Sequence, residues 1–181
     1  VANRGIGGDT SRGVLVRLRE DVLVLRPRAV VLLIGTNDIE QGAAPETIAA
    51  NIRLILAAFH RQDPAMPVVL CGVFPSSAAQ KRPAGRIRSL NELLRTAAAG
   101  QPQVTWLDLW TSFANPGGDA KPEEFPDLLH PNAAGYAKWA AALRPLLTRL
   151  GFRVAKYSTT APAIKTVSGG ECHGITLAGL I

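Results

Sequence analysis

Ala29-Val30-Val31-Leu32-Leu33-Ile34, followed at once by Gly35-Thr36-Asn37-Asp38, is the pivot of this chain. The run is apolar without alternation, rich in β-branched residues and too short for a bilayer-spanning helix. That is the pattern of a strand buried on both faces, as in a parallel sheet covered by helices. The polar residues directly after it then lie just past the carboxyl end of the strand, where open α/β sheets bind their ligands.

The same unit recurs on either side. Val1-Ala2 reads as the end of a strand, and Thr10 to about Leu25 carries Val14, Leu15, Leu18, Val22 and Leu25 at helical spacing behind an Asp9 or Thr10 cap. Pro45 opens a helix to His60 whose stripe is Ile48, Ile52, Ile55, Leu56 and Phe59. Pro67–Val73 is a second buried strand, Phe74–Pro83 a polar loop and Gly85–Ala99 an amphipathic helix; Val104–Leu109 is a third strand. A Pro- and Gly-rich loop, Asn115–Pro126, precedes a closing helix over Asn132–Leu150, kinked near Pro145. Strands alternating with helices predict a three-layer α/β/α, flavodoxin-like parallel sheet. Residues 1–150 form the predicted domain. Residues 151–181 form a tail of different character, ending in the apolar run Ile175–Ile181; its composition fits either disorder or an added strand.

With 181 residues, 47% of them hydrophobic and 19% charged, one domain with one core suffices. No apolar run is long enough to cross a bilayer and no signal-peptide pattern opens the chain, so the sequence assigns no compartment. The net charge of +6 comes from scattered arginines without an aromatic platform, a pattern of solvated surface and not of nucleic-acid binding. Cys71 lies in an apolar strand and Cys172 in the tail, so no disulfide framework is implied; Cys172 beside His173 lacks partners at metal-ligand spacing. Gly5, Gly7 and Gly8 do not complete a dinucleotide-binding G-x-G-x-x-G, and Asp9 would repel phosphate there.

Chemistry concentrates in three patches: Asn3-Arg4-Gly5-Ile6-Gly7-Gly8-Asp9-Thr10, Gly35-Thr36-Asn37-Asp38 and Asp127-Leu128-Leu129-His130. His130 is the candidate general base, with Asp127 three residues earlier able to reach its other nitrogen and fix its tautomer; Pro131 restricts His130 to extended backbone. The Gly8 backbone N–H and the Asn37 side-chain amide are candidate donors to an oxyanion, with glycine at 8 expected to let the substrate approach closely. Each has a structural alternative: helix capping for Asp127 and His130, a tight turn for the glycines, an Asx-turn for Asn37. Trp106, Trp110, Phe113 and Phe125 are candidates for an acyl pocket or for core packing.

Taken together and in order, these patches resemble the second, third and fifth sequence blocks of the SGNH or GDSL serine hydrolases. Gly5–Thr10 followed by Val14, Leu15, Arg17 and Leu18 is most similar to the platelet-activating-factor acetylhydrolase branch. The resemblance covers roughly residues 1–150 and leaves the tail unmatched. It implies a carboxylic-ester hydrolase, such as an acyl or acetyl esterase or a lysophospholipase-like enzyme, in which a serine attacks, His130 moves the proton, Asp127 orients it, and Gly8 with Asn37 hold the oxyanion. It implies no cofactor and no metal, a small-molecule ester as substrate and no nucleic-acid partner, and it is compatible with a homo-oligomer. The family's nucleophile lies in a Gly-Asp-Ser block on the loop after a first strand, upstream of everything quoted above. Gly8-Asp9-Thr10-Ser11 imitates that block, but the second block accounts for it and Ser11 falls in the first helix turn; Ser76, Ser77, Ser89, Ser112, Ser158 and Ser168 sit in no such context, and none is assigned as nucleophile. The expectation is therefore a fold whose first, interior strand is absent from residues 1–150, which leaves Ala29–Ile34 an unpaired edge and the chain poorly stable unless Ile175–Ile181 fills the gap. A relative that binds an acyl ligand or a partner protein without chemistry is the alternative function.

Overall fold

The computed structural model describes residues 1–152 and the backbone of residues 175–178. Strands β1 (Ala2–Asn3), β2 (Ala29–Leu32), β3 (Val68–Cys71), β4 (Val104–Leu107) and β5 (Ile175–Ala178) form one parallel sheet in the order β1-β5-β2-β3-β4. The helices are α1 (Ser11–Asp21), α2 (Thr36–Glu40), α3 (Pro45–Gln62), α4 (Ala84–Ala99), α5 (Trp110–Phe113) and α6 (Ala133–Arg149).

The unalternating apolar runs are buried along their whole length in β2 and β3, and successive residues supply opposite layers. Val30, Leu32, Ile34, Val68 and Leu70 pack with Val14 and Leu18 of α1, Ile48, Ile52, Ile55, Leu56 and Phe59 of α3, and Ile87, Leu90 and Leu94 of α4. Val31, Leu33, Val69 and Cys71 face the other way, onto Trp139 and Leu147 of α6 and onto Phe74, Phe113 and Phe125. Those three phenylalanines and Trp139 meet edge to face, with Phe74 at the centre, 4.9 to 5.4 Å from the other three rings. The predicted three layers are thus present, with each helical stripe read from sequence on the buried side.

Several boundaries shift: β2, β3 and β4 end at Leu32, Cys71 and Leu107, each two residues earlier than expected. α1 ends at Asp21, and Leu23–Leu25 form a separate 3-10 turn that closes on Arg26 at φ +44°, just before Pro27. α2 and α5 occupy stretches that the sequence assigns to no element; each is too short for apolar periodicity to register. At α1 the cap is Thr10, whose side chain accepts from the Gly13 N–H, while Asp9 pairs with Arg17 at 2.7 Å.

The expected unpaired edge of Ala29–Ile34 does not exist. β5 lies between β1 and β2, with Thr176 opposite both Ala2 and Val30 and Leu177 opposite both Asn3 and Val31. The interior position is filled by the chain's own tail, because β2 carries backbone donors and acceptors that only another strand can satisfy in the sheet plane. The link from α6 to β5, including Ser158, Ser168, Cys172 and His173, lies outside the described residues.

Proline at position 176 would delete a ladder N–H in the middle of an interior strand. Thr176→Pro is expected to lower the melting temperature by several degrees in a circular-dichroism melt; an unshifted melt would contradict this pairing.

Candidate active site

Because all the strands are parallel, the loops after β1, β2, β3 and β4 emerge at one edge of the sheet, and each predicted site residue lies on one of them. Gly8 sits in the turn between β1 and α1 at φ +79°, a conformation that disfavours any residue with a Cβ. The space around it is open, since an added Cβ would meet nothing within 4 Å. Glycine is therefore required here by backbone conformation and not by crowding within the protein. The Gly8 N–H has no protein acceptor among the described residues.

Asn37 opens α2 behind Gly35, which holds φ +121° where a Cβ would press to 3.0 Å from Leu90. The Asn37 side chain is buried and fixed at both ends. Its Nδ2 donates to the Asp9 carbonyl at 2.9 Å, and its Oδ1 accepts from Arg82 Nη2 at 3.0 Å. No Asx-turn to the neighbouring backbone is needed to explain it. Beside it Asp38, also buried, accepts from the Ser11 N–H at 2.8 Å and the Ser11 hydroxyl at 2.6 Å. The Gly35–Asp38 loop thereby grips the stretch that follows Gly8.

The second arm is the loop before α6. Asp127 Oδ2 lies 2.6 Å from His130 Nδ1, while Oδ1 accepts the backbone N–H groups of His130 at 2.7 Å and Leu129 at 3.0 Å. Leu128 takes φ +60° to close this turn. The capping alternative fails, because Asn132 is the cap of α6 and accepts from Ala134 and Gly135 at 2.9 and 3.0 Å. With Nδ1 engaged, Nε2 is the nitrogen left to exchange a proton. The hydrogen bond from His130, reinforced by the two backbone donors, pulls the Asp127 carboxyl down to about 2. The carboxylate is therefore ionised throughout the neutral pH range.

The loop after β3 ties the arms together, and sequence reading had assigned it no role. Gln80 Nε2 donates to the Asp127 carbonyl at 2.8 Å, and the Ser76 hydroxyl to the Leu128 carbonyl at 2.7 Å. Arg82 Nη1 donates to the Gln80 carbonyl at 2.7 Å, and Arg82 Nη2 reaches both Asn37 Oδ1 and Glu40. A hydrogen-bonded path thus runs from Asn37 through Arg82 and Gln80 to Asp127. The bonds from Gln80 to Asp127 and from Arg82 to Asn37 and Glu40 span 42 to 47 residues of sequence, so no local spacing signals them.

Among the described residues no serine hydroxyl bonds to His130. Ser11 is committed to Asp38 and Asn51, Ser76 to Leu128 and Ser89 to its own helix. Burial pushes the Cys71 thiol up to about 12, which disqualifies it as a nucleophile. Phe113 and Phe125 are core residues. Trp106 and Trp110 line a cleft of about 500 Å³ on the flank of α4 and β4 that includes none of the four site residues.

The sequence profile of the GDSL-like Lipase/Acylhydrolase family matches residues 1–138, and the chain belongs to that family. It is 34% identical over 149 residues to the platelet-activating factor acetylhydrolase IB subunit alpha1 of Bos taurus, a match covering 82% of this chain and 63% of that protein. The Homo sapiens alpha1 subunit is also 34% identical, with 64% of its length covered. Among solved structures, a GDSL-like lipase from Bacteroides thetaiotaomicron matches with a TM-score of 0.71 at 25% identity, over 81% of this chain and 74% of that one. The lipase/acylhydrolase from Enterococcus faecalis matches with a TM-score of 0.66 at 25% identity, over 78% and 72%. The chain thus spans less than two thirds of the length of the mammalian relatives.

Because its folded value lies below the ordinary 3.8, the Asp127 carboxyl contributes stability that is complete above that value and is lost as pH falls through about 2. Carbon-13 titration of the side chain should give a midpoint near 2, and a midpoint at or above 3.8 would show that the His130 contact is not kept in solution.

Proposed function

We propose that these residues form the base and oxyanion machinery of a serine-type carboxylic-ester hydrolase whose nucleophile comes from a Gly-Asp-Ser segment outside residues 1–181. The observation that carries the reading is the Asp127–His130 contact of 2.6 Å, on an exposed turn that Gln80 and Arg82 link by hydrogen bonds to Asn37. The family assignment supports ester hydrolysis in general. The mammalian relatives' name points to a small acyl group such as acetyl as the part cleaved.

In this reaction the serine oxygen bonds to the ester carbonyl carbon as its proton passes to His130 Nε2, and the carbonyl π pair moves onto oxygen. Asp127, ionised and bonded to Nδ1, stabilises the imidazolium that results. The oxyanion receives the Gly8 N–H and the second Asn37 Nδ2–H, since only one of the two Nδ2 protons is taken by the Asp9 carbonyl. Collapse expels the alcohol, which collects the proton from Nε2. Water then repeats the sequence on the acyl-serine, releasing the acid. None of these steps requires a cofactor.

Domain limits of 1–150 for this unit and 151 onward for an appendage are part of the proposal, amended by the contribution of β5 to the sheet. A non-catalytic acyl-binding or protein-binding role is the second reading, favoured by the lack of a serine partner for His130 among the described residues.

The discriminating experiment extends the chain upstream with a strand and loop carrying Gly-Asp-Ser, deletes Ile175–Ala178 so that the added strand can take the interior place of β5, and measures hydrolysis of a short-chain aryl ester. Activity is expected, falling by about a thousandfold or more with His130→Ala and by about a hundredfold in kcat with Asn37→Ala. A folded, extended protein with no hydrolysis would support the non-catalytic reading.

A further inference from the structure

We infer that Arg82 is a positioning residue that fixes and polarises the Asn37 carboxamide and locks the oxyanion arm to the base arm. This rests on the reading of Asn37 as an oxyanion donor.

A carboxamide can rotate by half a turn with little change of shape, and a flipped Asn37 would present an oxygen where the mechanism needs an N–H. Two neighbours of opposite character prevent this. The Arg82 guanidinium has donors and no acceptor, so it can face only Oδ1; the Asp9 carbonyl has lone pairs and no proton, so it can face only Nδ2. The orientation is set from both sides. The side chain of Arg82 is 3% exposed, so its contact with Asn37 is made away from competing water. Glu40, at 2.7 Å from Nη2, supplies the opposite charge that allows a guanidinium to be buried there.

The charge adds a second effect. A cation bonded to Oδ1 draws electron density through the amide and makes the remaining Nδ2 proton a stronger donor, as in any hydrogen-bonded chain that polarises along its length. The other face of the guanidinium holds the Gln80 carbonyl at 2.7 Å, and the Gln80 side chain holds the Asp127 carbonyl. Arg82 therefore acts on Asn37 directly and on the base arm through one intervening residue. Lysine would keep the charge but not the planar fork that serves three oxygens at once.

The test begins with the chain as it stands, 15N-labelled, with the Asn37 side-chain amide pair assigned from its disappearance in Asn37→Asp. The native protein should show two well-separated Nδ2 protons, one of them protected from exchange. Arg82→Met should remove the protection and broaden the pair, and Arg82→Lys should give an intermediate result. If Arg82→Met does not fold, Arg82→Lys alone carries the comparison. An unchanged amide pair in a folded Arg82 variant would overturn the inference.

In the chain extended with Gly-Asp-Ser, Arg82→Met should lower kcat by about tenfold with KM unchanged, and Asn37→Ala added to it should cost much less than in the native background. Full additivity of the two substitutions would also overturn the inference. If instead Asn37→Ala leaves kcat unchanged while the amide is still oriented by Arg82, the oxyanion reading fails and the orienting role stands.

Discussion

The carboxylate of Asp38 sets the geometry from which the rest of the site follows. It takes both hydrogen bonds that Ser11 can donate, from backbone and hydroxyl, and it does so in the interior. Ser11 is the first residue of α1, so an anion from the β2 loop sits at the positive end of that helix, where its charge is favoured. Asn51 of α3 closes the set by donating to the Ser11 hydroxyl at 2.9 Å. Three elements that share no local sequence are pinned at one point. Removing the carboxylate would leave buried donors unmet, a cost of about 1–3 kcal/mol for each. With α1 fixed at its start and Asn37 holding the Asp9 carbonyl, the turn at Gly8 has little freedom left.

The base arm is stabilised by different means. Its loop rests on the aromatic cluster of Phe74, Phe113, Phe125 and Trp139, and Gly135 lets α6 approach so closely that a Cβ would lie 2.8 Å from the Glu124 carbonyl. The dyad itself remains half exposed. The Asn37 side chain is thus buried among polar partners, and Asp127 and His130 sit on an exposed turn over an apolar platform. That division suits the two proposed tasks, since a donor to an oxyanion must be held in advance and a base must meet water in the second half of the reaction.

The readable parts of this sequence were those in which chemistry or burial dictates residue identity locally. Ala29–Ile34 announced a buried strand because nothing else tolerates six apolar residues in that context, and Asp127 and His130 stand close enough for their spacing to carry meaning. Gly8 reads from sequence either as room for a substrate or as a tight turn, and its φ of +79° carries the turn. Arg82 and Gln80 were missed for a deeper reason: they work through hydrogen bonds to residues more than forty positions away, inside a loop whose polarity reads as solvation. The placement of β5 was legible from a vacancy in the sheet together with the apolar composition of Ile175–Ile181.

Amide hydrogen exchange at Ser11 tests the central clamp most directly. The account predicts that this N–H, at the first turn of a helix where amides ordinarily exchange fast, is protected as strongly as those of β2 and β3 and loses that protection in Asp38→Ala. Rapid exchange in the native protein would contradict the account, because the Asp38 carboxylate would then not be holding α1 in place.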